Sequence, residues 1–306
     1  MLRKIIPLCI LIFATVYILR WIPYIDLSMV CKLRFNIWLT VLLLFAICQL
    51  FHIFYFSIIL GQIHKISSLY RLAIILFASY SLNYAGPFKI GIPARVFLFK
   101  RILGIPLSAG TAAVLTTTCL DVLVMVTLAL GLSGWIYLGP FAGLLIGIAA
   151  VSTFTGFITL LHRLPRKFVD RYAWIASLVA HMNSLSAPIL AAAVFISVAK
   201  CLINSFAGWL VLTELGGTVR MVEFSFAYFS SVLAGLLSFL PMGIAVRDAS
   251  LVEFLSHLGT PPSTGIVFVG IDRLVWSLLP LFMGLLAGWQ LGVRALIKSA
   301  DKEVST

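Results

Sequence analysis

The sequence predicts an all-α fold: a polytopic transmembrane helical bundle of about eight spans, plus two re-entrant or broken helices arranged as an internal repeat. Three observations predict it. The 306 residues are 62% hydrophobic and 10% charged, against about 25% charged residues in an average soluble domain. Apolar stretches recur at lengths near the roughly 20 residues that a helix needs to cross a hydrocarbon core of about 30 Å. Two further stretches, 87–106 and 241–262, open with proline and glycine, carry charges, and are too short to cross. A membrane β-barrel would show period-two alternation in segments of about 10 residues, which the continuous apolar run Trp38 to Ile47 contradicts.

Taken in order, Met1-Leu-Arg-Lys and the apolar run Ile5 to Leu19 resemble a signal peptide. No small-x-small cleavage site follows, however, and Arg20, Trp21 and Pro23 suit a retained, interfacially anchored helix. Spans are expected at 5–23, 35–60, 70–86, 107–132, 138–161, 187–213, 223–240 and 264–292. A helix over 35–60 would reach about 39 Å at 1.5 Å per residue, so it must tilt or protrude. The link 132–139 is uncharged, while 162–172 carries Arg163, Arg166, Lys167 and Arg171 against Asp170. The positive-inside rule puts 162–172 in the cytoplasm. After it, Ile175, Leu178, Val179, Met182 and Leu185 recur opposite Ser177, His181, Ser184 and Ser186, the pattern of a helix lying on the membrane surface. Residues 1–306 thus read as a single integral membrane domain, with repeat-like halves at about 70–137 and 223–293 and a cytoplasmic link at 162–186. The expected location is the cell (inner) membrane of a bacterium or archaeon, crossed several times.

The repeat rests on matched spacings. The first copy reads Pro87-Phe-Lys89-Ile-Gly91-Ile-Pro-Ala-Arg95, then Gly104-Ile-Pro106, Ser108, Gly110 and an apolar helix; the second reads Pro241-Met-Gly243-Ile-Ala-Val-Arg247, then Gly259-Thr-Pro261, Ser263, Gly265 and an apolar helix. Glycine and arginine stand four apart in both. Interrupted helices in matching positions of two halves point to a transporter site near the repeat interface. The alternative is two ordinary Gly/Pro-rich turns between helices.

The candidate pathway residues are the charges in or beside spans: Lys89, Arg95, Asp121, Arg247, Asp248, Asp272 and Arg273, with Pro87, Gly91, Pro241 and Gly243 as the helix-breaking positions. A charge at a helix centre costs about 2.5–3.5 kcal/mol on insertion scales, so Asp121 should face the bundle interior with a partner or water. Asp272 and Arg273 point about 100° apart on a helix; each must seek a separate partner, and Asp121 with Arg273 is the expected pairing. Arginines beside Gly-rich helix breaks offer what a phosphate needs, guanidinium forks and backbone N–H groups; the alternatives are interfacial snorkelling and buried pairs that only fix helix register. Lys200, mid-span and one turn before Asn204, reads as an interior counter-ion, the alternative being a long-stemmed snorkeller that only looks central.

The +12 net charge, from 22 Lys and Arg against 10 Asp and Glu, lies between the spans and points to anionic lipid headgroups as partners. No basic domain outside the spans exists to bind nucleic acid. Five scattered cysteines, no Cys-x-x-Cys and no His-x-x-x-His predict no metal and no cofactor. Gly131-Leu-Ser133-Gly134 resembles the rhomboid protease nucleophile motif, with Ser256-His257 downstream, but lacks supporting context; no enzyme activity is expected.

At Pro87-x-Lys89-x-Gly91-x-x-x-Arg95, the continuation from Gly104 to Asp121, Leu240-Pro241-x-Gly243-x-x-x-Arg247-Asp248-Ala249, and Asp272-Arg273, the chain resembles the lysylphosphatidylglycerol synthase transmembrane region family, the flippase-like domain that also occurs as stand-alone membrane proteins. It departs where Ile92 replaces a glutamate, where Thr117-Thr118 replace a Glu-Arg pair, and where Asp248 replaces a glutamate. The resemblance implies a lipid translocator that moves an anionic phospholipid or lipid-linked headgroup between leaflets. Lys89, Arg95 and Arg247 would attract the phosphate, and Asp121, Asp272 and Arg273 would line the path. The aminoacyl-transferase domain of some members is absent, so no lysyl transfer is implied. The alternative is a non-catalytic accessory or scaffold subunit for an envelope-lipid or glycolipid biosynthetic enzyme, which would then be its partner. With no nucleotide-binding loop in the sequence, the driving force would be a lipid gradient, a proton or an ion.

Overall fold

The structure is a computed structural model that describes residues 28–304 apart from 32, 67, 86–90, 163–176, 178, 182, 239–242 and 244. The expected span 5–23 and the basic link 162–172, past His162, lie outside the described residues, as do Pro87, Lys89 and Pro241. Among the described residues every regular element is helical, and four stretches are long and apolar enough to cross a membrane: Phe35–Ile63, Leu107–Leu138, Ala187–Glu214 and Pro262–Gly292. Their lipid-facing residues are large and apolar, with Phe35, Tyr137, Phe195 and Trp289 each about three-quarters exposed; in water that surface would aggregate.

After a helical turn at Ser28–Cys31, α1 (Phe35–Ile63) runs 29 residues, about 44 Å at 1.5 Å per residue. The next helix, α2 (Leu69–Ala85), has only 17 residues, about 25 Å, which is short of the hydrocarbon thickness. The chain then turns back through α3 (Gly91–Leu98), which ends in a π-helical turn at Phe99–Leu103. Gly91 makes the turn close. A Cβ there would collide with the carbonyl oxygen of Ser79 and the backbone of Asn83, so only glycine lets α3 start against α2. Gly104, in the left-handed conformation, closes the π turn, and α4 (Leu107–Leu138) begins.

α5 (Pro140–His162) packs along α4 as an antiparallel partner. Gly134 and Gly143 allow the approach, since a Cβ on Gly134 would lie 3.0 Å from the Cα of Gly143; close small-residue contact of this kind is how helices associate in lipid. α6 (Ala187–Glu214) then packs against α1 and α4. It is antiparallel to α1: Ser186 donates to Gln62 Oε1 at 3.1 Å at one face of the bundle, and Arg34 pairs with Glu214 at 2.5 Å at the other.

α7 (Met221–Leu237) repeats the pattern of α2, with 17 residues, and α8 (Val246–His257) turns back. α9 (Pro262–Arg273) then passes through a π-helical turn at Leu274–Leu278 into α10 (Leu279–Val304). The α2–α3 hairpin opens on the face where α1 ends, because Ser108, just beyond it, meets Ser177 and Tyr70 at its start meets Gln290. The α7–α8 hairpin opens on the opposite face, where Phe226 meets both Tyr137 and Phe254 edge-to-face. The expected spans 70–86 and 223–240 are therefore corrected. Both become first arms of hairpins on opposite faces, α2 ending at Ala85 and α7 at Leu237 and each followed by a second, shorter helix that packs against it.

α2 packs against α10 and α7 against α4, while α1 and α6 pair at the centre. Two large hydrophobic cores result among the described residues, with a third, small cluster of Ile74, Ala78 and Ala287 between α2 and α10. Tyr55, Phe56, Leu76 and Phe99 centre one on the first hairpin; Phe224, Phe229, Leu255 and Phe268 centre the other on the second.

A charged cavity between the two hairpins

The end of the second hairpin is held by charge and by strain. Gly243 (φ 63°) sits against Gly235 so closely that a Cβ would lie 2.8 Å from the Gly235 Cα. Ala245 has φ 68° and ψ −50°, the sparsely populated geometry of a γ-turn. Asp248 caps α8 by accepting from the Ala245 N–H at 3.3 Å, and Arg273 anchors that carboxylate through Nε at 2.8 Å. Arg247, the first polar residue of α8, donates from Nη2 to Asp272 Oδ2 at 2.6 Å, with Asp272 almost fully buried. The Tyr228 hydroxyl reaches the other oxygen of Asp272 at 3.3 Å, and its ring lies under the Arg247 guanidinium at 5.3 Å.

In α4, Asp121 accepts from Ser197 at 2.5 Å and from Lys200 at 3.2 Å, both on α6. The Lys200 ammonium also sits 4.5 Å from the Tyr55 ring centre. Adjacent Asp272 and Arg273 do turn to separate partners, as helical geometry requires, but the expected Asp121–Arg273 pair does not form. Arg273 belongs to Asp248 and Asp121 to Lys200. The reason is geometric: the α7–α8 hairpin brings its own carboxylate to α9, and α6 brings its lysine to α4.

Between these pairs lies a cavity of about 340 Å³ at the junction of α1, α6, α7, α8 and the π turn after α9. Its polar walls are Gln49, His52, Lys200, Asn204, Arg247 and Arg273. Arg95, four residues after Gly91 as Arg247 is after Gly243, does not line it. Its Nε donates to Ser79 Oγ at 2.9 Å, and its guanidinium lies 4.9 Å over Phe56. His52 packs against Phe56 and Tyr80 at 5.1 and 5.5 Å, so Arg95 stands behind the His52 wall. Among the described residues no group of His, Cys, Asp or Glu is arranged to hold a metal ion.

Sequence reasoning named the arginines and carboxylates but missed Gln49, His52, Tyr80 and Tyr228. A signal was present: Gln49 and His52 stand three apart within an otherwise apolar run and so share one helix face, which lipid would not tolerate.

The spacing of the two hairpins and the residues at their ends can be set against known families. Residues 5–284 match the family described as Lysylphosphatidylglycerol synthase TM region. The chain belongs to that family. A UPF0104 membrane protein of Methanocaldococcus jannaschii is 30% identical to it over 95 residues, covering 31% of this chain and 28% of that relative; the match spans less than a third of the relative's length. Membership in the lysylphosphatidylglycerol synthase TM region family makes this a membrane protein.

Proposed function

We propose that the protein is a lipid translocator in which the cavity between the hairpins holds an anionic phospholipid or lipid-linked headgroup while the acyl chains remain in the bilayer. The observation that carries this reading is a cavity lined by three cations in the middle of a bundle whose outer surface is apolar; intramembrane ionisable residues mark substrate paths by default. The packing supports it. With α5 set aside, exchanging α1–α4 for α6–α10 maps the main neighbour pairs onto one another: α2 with α10 becomes α7 with α4, and α1 with α6 becomes itself. Because α1 and α6 run in opposite directions, we infer two inverted repeats, the architecture in which a midplane site opens to each face in turn. With 162–172 cytoplasmic, the α2–α3 hairpin opens to the cytoplasm and α7–α8 to the other side. The membrane would be the cell membrane of a bacterium or archaeon, and net transport would draw on a lipid, proton or ion gradient.

A second reading has one observation in its favour. Every cation in the cavity walls already has a carboxylate, so the pairs could serve only to fix helix register, as in an accessory subunit of an envelope-lipid enzyme. Leaflet exchange of a fluorescent anionic phospholipid and of a polyprenyl phosphate, in liposomes holding the purified protein, separates the two. Exchange that is lost in a folded Arg247→Ala, Asp272→Asn double variant supports translocation. No exchange of either lipid by the folded wild type supports the accessory subunit.

A further inference from the structure

Three buried polar atoms on the walls of the cavity have no hydrogen-bond partner among the described residues: Gln49 Oε1, His52 Nε2 and Arg247 Nε. Buried polar atoms are almost always satisfied, so three on one cavity mark places for ligand atoms. What those atoms must be follows from what each protein atom can do. Arg247 Nε can only donate, and calls for an acceptor oxygen; Asp272 occupies Nη2, so a phosphate can take the Nε edge without breaking the ion pair. Gln49 Oε1 can only accept, and calls for a donor. His52 Nε2 serves either need, according to its tautomer.

The donor could be an ammonium or a hydroxyl, and the charge pattern separates them. Lys200, Arg247 and Arg273 face the cavity, no carboxylate among the described residues lines it, and Asp121, Asp272 and Asp248 each lie behind it in an ion pair. An ammonium would enter a ring of cations and find no anion to neutralise it, whereas a hydroxyl donates to Gln49 and accepts elsewhere without charge. The volume lies at the small end of ordinary ligand sites, which suits a headgroup rather than a whole lipid.

Resting on the translocation reading, we propose that the cavity selects a headgroup in which the phosphate is joined to a neutral hydroxylated group, a polyol or a sugar, and rejects headgroups that bear an amine. Arg247 Nε holds the phosphate, and Gln49 with His52 reads the hydroxyls.

The test uses deacylated headgroups as soluble probes of the full chain in phosphatidylcholine nanodiscs, with binding measured by calorimetry. Glycerophosphoglycerol and glycerophosphoinositol should bind at least about tenfold more tightly than glycerophosphoethanolamine and glycerophosphocholine, since a site built to pair a hydroxyl rejects ligands lacking it. Gln49→Leu should weaken glycerophosphoglycerol about tenfold and leave inorganic phosphate unchanged. Gln49→Glu, which supplies the absent carboxylate, should move the preference toward glycerophosphoethanolamine, so the idea stays testable if the leucine variant fails to fold. Equal binding of all four probes, lost in Arg247→Ala, would overturn the selectivity and leave the anion site standing; so would tighter binding of the ethanolamine probe. No binding of any probe or of inorganic phosphate by the folded wild type would overturn the translocation reading together with this one.

Discussion

Asp272→Asn should be the most destabilising isosteric change in the molecule. The side chain is about 2% exposed and that of its partner Arg247 about 10%, so the substitution leaves a guanidinium buried with no opposing charge. Removing one member of a buried pair costs about 3–5 kcal/mol. The Tyr228 hydroxyl, 3.3 Å from Asp272, can donate to the new amide oxygen but supplies no charge, so the estimate stands near the middle of that range. Replacing both members with apolar residues of similar size, Arg247→Met with Asp272→Leu, removes the charge problem and should cost less than the single change. The assay is reversible unfolding in mixed micelles titrated with SDS, followed by far-UV circular dichroism, over the full double-mutant cycle. The reasoning fails if Asp272→Asn costs under about 1 kcal/mol, or if the double variant loses as much as the two singles combined; the pair would then be worth no more than an exposed one.

Other substitutions probe the remaining parts of the architecture by the same assay. Ala245→Gly should stabilise the protein by about 1 kcal/mol, because glycine relaxes the positive φ of 68° that alanine holds there. Gly243→Ala should destabilise by about 2 kcal/mol or more, from its own φ of 63° and the 2.8 Å approach of a Cβ to the Gly235 Cα. Arg34→Ala should cost less than about 1 kcal/mol despite its two hydrogen bonds to Glu214, because the arginine side chain is 75% exposed. Lys200→Met should cost about 1–3 kcal/mol, leaving Asp121 with the Ser197 hydroxyl, and Asp121→Leu added to it should recover most of the loss.

The helical membrane class was legible from composition, because solvation by lipid leaves few alternatives for such a chain. The helix breaks were legible from Gly91, Gly243 and their neighbouring prolines, since those residues report backbone geometry directly. What was not legible was direction. Residues 70–86 and 223–240 have the apolar content of spans, and only the contacts of Ser108 with Ser177 and of Phe226 with Phe254 show that each chain segment returns to the face it left. Pairing was likewise hidden. The register of Asp121 against Lys200 depends on how α4 and α6 cross, and two helices 76 residues apart carry no local signal of that.

The two halves also show why matched spacing does not imply matched chemistry. Asp272 and Arg273 stand seven and eight residues after Gly265; Thr117 and Thr118 stand seven and eight after Gly110. In the second half this position meets the arginine of the re-entrant helix. In the first, Thr117 turns its hydroxyl back to the Ala113 carbonyl at 3.0 Å, and Arg95 takes Ser79 and the Phe56 face. The first half's only spanning acid, Asp121, comes one turn later and recruits Lys200 from α6. The sequence spacings thus match while the ion pairs do not. Two of the three pairs move with the α7–α8 hairpin and α9, and one joins α4 to α6. A motion that rocked one half against the other would carry the Arg247–Asp272 and Arg273–Asp248 pairs intact and shear the Asp121–Lys200 pair. That would place the energetic cost of opening on Lys200, the one cation of the cavity walls whose partner lies across the boundary between the halves.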